Sequence, residues 1–400
     1  MKAKRPTKNQ TGPPNLRGVG YGVLAVITIL ALIWLIGSDR STTGLETAKD
    51  EARGNTGNTR TGETTRRYPL INPSNTQAVS QLNQVNSNQG PSYLTSSIHR
   101  LDIPNTNETR STLERSRLPS DMFEIQLALD RLGFSPGSLD GVGGIRTKRA
   151  IQAFQAAYRL PQTGIIDGQT RSSLFLVDPL VRLHAITSSD IGRLRRTGKS
   201  WTEKARQDRM DYESVLEMVA ELGHAHPDYI RIMNPGVEWE RIKPETIVRI
   251  PFVMSNEVKE KGASIQIRLG QNQLQLLSES GRILLHMPCS IARLVEKRPV
   301  GSLRVISKAS NPNYKFNPSM FPDSAEAKSG GKPMMLAPGP NNPVGSGWIG
   351  LSRSGYGIHG TPHPEAIGRT ESHGCFRLAN WNVERLLPYI WLGMPVEVFP

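Results

Sequence analysis

Four hundred residues with 37% hydrophobic content are enough to bury two or three cores. Two cysteines cannot build a disulfide framework, which excludes the small cystine-stapled folds. The formal net charge of +14 suits an anionic partner, yet no nucleic-acid-binding motif accompanies it, so the excess does not read as a nucleic-acid footprint.

The charge is unevenly spread. Residues 1–38 carry five Lys or Arg and no acid, residues 118–260 carry nineteen of each sign, and residues 261–400 carry fifteen basic and eight acidic residues. Residues 19–36, VGYGVLAVITILALIWLI, are eighteen residues without a charge. As a helix they would span about 27 Å, close to a bilayer core. A cleaved signal has a shorter apolar region and a small-residue cleavage site, neither of which is evident, and no Cys follows the run to carry a lipid. The expectation is an uncleaved transmembrane anchor within residues 1–38, its basic tail in the cytoplasm and the rest outside, in the periplasm or cell envelope. Residues 39–117 are rich in Ser, Thr, Asn, Gln and Gly and lack hydrophobic periodicity, which predicts a disordered linker.

Residues 118–178 are patterned. Ile125, Leu129 and Leu132, then Ile151, Phe154 and Tyr158, recur at helical spacing. The Gly- and Asp-rich loop GFSPGSLDGVGG separates them. Asp140 and Asp167 read as turn and cap residues, because the alternating acids and terminal Glu of a calcium loop are missing. The order LxxLGFxPGxxDGxxGxxTxxAIxxFQ, then TGxxD, resembles peptidoglycan-binding domain 1, which implies a small three-helix bundle.

Residues 181–253 form a second α-rich segment. Ser188 or Ser189 would cap a helix at SSDIGRL. Val215, Met218, Val219 and Leu222 mark another helix, the chain turns at residues 224–227, and IKPETIVRIP reads as a short strand. The Asn234-Pro235-Gly236 ending before a strand resembles a LysM-like module. His184, His224 and His226 read as structural or surface residues.

From residue 262 the period changes to two. IQIRLGQNQLQLL alternates around a turn at residues 270–272, and GRILLHMPCSIA and GSLRVISKA continue the strands. Cys289 ends an apolar run and reads as a core residue. A disulfide between Cys289 and Cys375 would consume the more reactive thiol, so both read as free. Residues 357–378, GIHGTPHPEAIGRTESHGCFRL, hold three of the eight histidines and Cys375, flanked by glycines. A Cys with a His to move its proton is what thiol-nucleophile catalysis requires. His359 and His363 are four apart, as in helical zinc motifs, but Pro362 and Pro364 break any helix there.

His359-Gly360-Thr361 followed by Ser372-His373-Gly374-Cys375-Phe376-Arg377-Leu378 resembles the catalytic motif of the L,D-transpeptidases, bacterial cell-wall enzymes. Pro299-Val300-Gly301, Asn313-Tyr314, the 339–345 loop and Trp348-Ile349-Gly350-Leu351 extend the likeness over residues 262–400. The resemblance implies a mainly-β catalytic domain with one short helix at residues 382–389 and a loop or lid at 311–331. It further implies Cys375 as nucleophile, His359 as base and acid oriented by the Gly360 carbonyl, and an oxyanion hole from His373 and the amides of Gly374 and Cys375. Ser372 would support that turn, Thr361 and Ser372 would line the substrate site, and Arg377 would hold a substrate carboxylate or brace the loop. His363 reads as an exposed loop residue. The implied partner is peptidoglycan as donor and acceptor, without cofactor or metal. Acceptor amine, water or protein amine would give crosslinking, L,D-carboxypeptidase or anchoring activity, and a chain with a decayed site would be a membrane-to-wall tether. The full expectation is a multidomain protein of anchor, linker, three-helix bundle, LysM-like module and catalytic domain.

Overall fold

The computed structural model describes residues 116–254, 258–368 and 374–400. The expected anchor, nearly all of the expected linker, Ser372 and His373 lie outside these residues. Among the described residues, no helix is long and apolar enough to cross a membrane.

Strand β1 (Ser116–Arg117) leads into helices α1 (Met122–Arg131), α2 (Ile145–Ala157) and α3 (Gly168–Ser173), the three helices expected of the bundle. Asp121 caps α1 by accepting from the Glu124 N–H, and Asp167 caps α3 by accepting from Thr170 N–H at 2.7 Å. The loop between α1 and α2 is folded around Gln126. Its Oε1 accepts from Asp140 and Gly141 N–H, and its Nε2 donates to Asp140 Oδ1 and the Val142 carbonyl. Asp140 is therefore a turn residue, as its sequence context suggests.

Strand β2 (Leu176–Val177) pairs with β1. Strand β3 (Val181–Ala185) then precedes α4 (Ser188–Arg193), α5 (Trp201–Ala205), α6 (Val215–Leu222) and α7 (Pro227–Met233), and β4 (Ile247–Pro251) returns antiparallel to β3. The cap of α4 is Thr187, one residue before the expected Ser188. A reciprocal box decides it: Thr187 Oγ1 accepts from Asp190 N–H at 3.0 Å, and Asp190 Oδ2 accepts from Thr187 N–H at 2.9 Å. His226 caps α7, and His224 contacts Asp130 at 3.0 Å, so both are structural. Residues from both helical segments share one core, with Ile125, Phe154, Val219, Ile230 and Ile250 all buried in it. The buried Arg131 joins them further, donating to the carbonyls of Val177, Pro179 and Phe252.

The remainder is built on one mixed sheet. Its strands begin with β5 (Ser264–Arg268), β6 (Gln273–Leu277), β7 (Ile283–Pro288) and β8 (Gly301–Ser310). Asn272 adopts the left-handed region at φ 47°, closing the β5–β6 turn where the sequence places it. A hairpin of β9 (Tyr314–Phe316) and β10 (Met334–Leu336) encloses α8 (Ala325–Lys328). The expected loop at 311–331 is thus a structured flap. Phe316 stacks on Trp201 from α5 with centroids 4.1 Å apart, over buried Met210 and Leu336, and that aromatic contact orders it. The chain continues with β11 (Gly347–Leu351), β12 (Gly357–His359), β13 (Phe376–Arg377), α9 (Asn380–Leu386) and β14 (Pro395–Phe399). The sheet order is β13-β12-β11-β8-β14-β5-β6-β7. Helix α9 starts two residues before the expected Asn382 and ends in a tighter turn at Tyr389. Helical part and sheet are docked: His224 stacks on Trp381, Asn382 donates to Ser135 at 3.1 Å, His286 N–H donates to the Gly133 carbonyl and Ser135 N–H to the His286 carbonyl, each at 2.9 Å.

Candidate active site

Strands β12 and β13 run parallel, with Ile358 opposite Phe376 and His359 opposite Arg377. Ile358 and Phe376 are fully buried in the sheet's core. Side chains alternate along a strand. His359, Arg377 and Cys375, the residue before β13, therefore share the other face. Trp348 of β11 lies opposite His359 on that face, its ring stacked on the imidazole at 5.7 Å and 22°. A Cβ at Gly357 would come within 2.4 Å of that indole, so glycine is what lets Trp348 lie there.

His359 is 5% exposed, and its Nδ1 sits 2.6 Å from the Gly360 carbonyl. A carbonyl can only accept, so Nδ1 carries the proton and Nε2 keeps a lone pair for a base. Burial drives the imidazole down to about 4, opposed by the Gly360 bond and assisted by the positive charge of Arg377. Burial also raises the Cys375 thiol, while a bond from Gly357 N–H and the nearby Arg377 pull it back. Its Sγ lies 3.6 Å from the Gly355 carbonyl. Near neutral pH Cys375 is a thiol and His359 a neutral imidazole, so a Cys375 nucleophile would need a base.

Arg377 is half-buried, its guanidinium lowered by that burial, and its charge faces Cys375 and Tyr314 of the flap. Gly374 lies beside Tyr356 and is half-buried. Thr361 is buried, and its hydroxyl accepts from His363 N–H at 3.2 Å, so it is engaged in the turn after His359. His363 is exposed, 3.8 Å from Glu365. Ser372 and His373 lie outside the described residues. Cys289 is fully buried, its thiol pushed up to about 12 by that burial.

Sequence reasoning passed over Tyr314 and Trp348 as parts of the site, and also Asn380. Asn380 Oδ1 accepts from Ser346 and Thr361 N–H, each at 3.1 Å. An Asn opening a helix reads locally as a cap, and nothing near it in sequence marks these distant partners.

Residues 262–398 match the family model described as the L,D-transpeptidase catalytic domain. The chain carries an L,D-transpeptidase catalytic domain. Residues 119–174 match the model described as "Putative peptidoglycan binding domain". The chain is 24% identical to "Putative L,D-transpeptidase YkuD" of Bacillus licheniformis over 42% of its own length and 82% of that protein. It is 28% identical to "Probable L,D-transpeptidase YbiS" of Escherichia coli K12 over 41% of its own length and 53% of that protein, about half of it. A solved L,D-transpeptidase from Xylanimonas cellulosilytica is 16% identical, covering 71% of this chain and 96% of that one at a TM-score of 0.31.

The L,D-transpeptidase domain's histidine has a consequence for pH. His359 is held near 4 against an ordinary 6.5, so a reaction that used it as base would lose kcat/KM as pH drops through about 4. Stability follows a different window. Between about 6.5 and 4 the unfolded histidine binds a proton that the folded one refuses, so stability is full above 6.5 and lost as pH falls toward 4. A pH–rate profile, with circular dichroism at each pH to count folded protein, checks both. An acid limb centred near 6.5 in folded protein would contradict the buried, neutral histidine.

Proposed function

We propose that this chain is a peptidoglycan L,D-transpeptidase with Cys375 as nucleophile and His359 as general base and acid. The observation that carries it is the parallel register of β12 and β13, which puts His359 and Cys375 on one face, with the Gly360 carbonyl leaving His359 Nε2 unprotonated. In this reading His359 Nε2 takes the Cys375 proton as sulfur attacks the carbonyl of an L,D-peptide bond in a donor tetrapeptide stem. Backbone N–H groups of Gly374 and Cys375 receive the developing oxyanion. The C–N bond breaks, His359 returns the proton to the leaving D-Ala amine, and a thioester remains. An acceptor stem amine then attacks the thioester, loses its proton to His359 and releases Cys375. Arg377, the cation facing Cys375, holds a stem carboxylate.

The match at residues 119–174 supports peptidoglycan as the polymer bound, and the basic balance of residues 261–400 suits stems rich in carboxylates. The apolar run at 19–36 would anchor the protein in the cytoplasmic membrane with residues beyond it in the envelope.

Incubation of the purified chain with isolated peptidoglycan, followed by mass spectrometry of muropeptides, tests the reaction. The expected products are free D-Ala and new crosslinks between stems. Tripeptides without crosslinks would make water the acceptor, and unchanged muropeptides would sink the reading.

A further inference from the structure

Asn380 is 1% exposed, and its amide is fully committed. Beyond the Ser346 and Thr361 N–H groups on Oδ1, its Nδ2 donates to the Pro340 carbonyl at 3.1 Å and to both carboxylate oxygens of Glu221, at 3.1 and 3.2 Å. These partners decide which end of the amide is oxygen. Only NH₂ can face a carboxylate and a carbonyl, and only the oxygen can face two N–H groups.

The Thr361 N–H and the Gly360 carbonyl belong to one peptide plane. Asn380 holds the N–H side at 3.1 Å, and the carbonyl side receives His359 Nδ1–H at 2.6 Å. The tilt of that plane sets the tautomer and direction of the imidazole. The packing leaves little freedom: a Cβ at Gly360 would lie 2.3 Å from Asn380 Oδ1. Glu221 comes from α6, outside the residues matched as the catalytic domain, and is 8% exposed. A buried carboxylate is costly unless it is hydrogen-bonded, and the Asn380 NH₂ bonds both of its oxygens.

We propose that Glu221 is a positioning residue for His359, acting through Asn380, so that the helical segment at 181–253 completes the catalytic apparatus instead of serving only as a module for holding the wall. The inference rests on the reading of His359 as the base. Glu221 orients the Asn380 amide, the amide orients the Gly360–Thr361 peptide, and the peptide orients the imidazole.

The test uses the full chain with peptidoglycan turnover as readout. Glu221→Gln keeps shape and removes the charge, and is expected to lower kcat roughly tenfold with KM unchanged, well inside the ~10²–10⁴ that a positioned base supplies. Asn380→Asp sets carboxylate against carboxylate and should lower kcat by about 100-fold or more on the same scale. The double variant Glu221→Gln with Asn380→Asp restores a donor facing an acceptor and should recover about tenfold over Asn380→Asp alone, the coupling of a shared network. A merely structural contact would lower the melting temperature while leaving kcat per folded molecule intact, and would show no recovery. Either an unchanged kcat in Glu221→Gln or a double variant no better than Asn380→Asp overturns the proposal. Cys375→Ala and His359→Gln run alongside. If both are inactive while Glu221→Gln is not, this inference alone fails, whereas activity in either of them removes the reading on which it stands.

Discussion

Cys375→Ala is expected to lower turnover of peptidoglycan by at least about 10³-fold, the scale seen when a covalent nucleophile is removed. Cys289→Ser should leave most of it. The two thiols differ in surroundings more than in chemistry. Cys375 shares a face with His359 and Arg377, and its thiol, though raised by burial, has a Gly357 N–H and a cation to stabilise the thiolate. Cys289 is fully buried, and its thiol is held near 12, so it has no thiolate to offer at neutral pH. A serine there keeps a donor within reach of the Ser290 carbonyl, which the Cys289 Sγ meets at 3.8 Å, so the fold should tolerate it. The measurement is muropeptide conversion per folded molecule, with melting curves to count folded protein. Equal loss in both variants without unfolding would remove Cys375 from its assigned role.

The parts of this arrangement that were legible in the sequence are those encoded over a few residues. The alternation in IQIRLGQNQLQLL sets the β5–β6 hairpin, since Ile265 and Ile267 must both face the core. The spacing of Val215, Met218, Val219 and Leu222 sets α6. His359 and Cys375 stand out because glycines surround them. What was not legible depends on contacts between distant segments. Glu221 lies in VLEMVAEL with nothing local to mark its partner, the Asn380 amide 159 residues further on. The flap at 311–331 has no strong periodicity of its own and is ordered by Trp201. The two helical segments look like separate modules because each has its own pattern, while both contribute to one core that holds Phe154 and Val219.

Gly345→Ala should be the most damaging single methyl that can be added near the site. Gly345 has φ 60°, where a Cβ is disfavoured, and an added Cβ would lie 2.1 Å from Asn380 Oδ1 and 2.6 Å from the Gly360–Thr361 peptide. Backbone strain of about 1–2 kcal/mol adds to an overpacking cost of about 1–3 kcal/mol, because the atoms it meets belong to backbone and to a fully bonded amide. Gly281→Ala isolates the first part. Gly281 has φ 79° in the β6–β7 turn, and nothing lies within 4 Å of its would-be Cβ. For a unit of this size 1 kcal/mol is worth roughly 2–4 °C, so Gly281→Ala should cost a few degrees and Gly345→Ala on the order of 5–15 °C. The second effect is chemical. Relief of the clash has to push the Gly360–Thr361 peptide or the Asn380 amide, and either movement turns the carbonyl that holds His359 Nδ1. At a temperature where Gly345→Ala remains folded, kcat should therefore fall at least about tenfold, a fraction of what a positioned base supplies, while Gly281→Ala keeps the parent value. Differential scanning calorimetry gives the melting shifts, and turnover on peptidoglycan at 15 °C gives the kcat comparison. Equal melting shifts and equal kcat in the two variants would mean that the 345 loop does not press on the peptide behind the catalytic histidine.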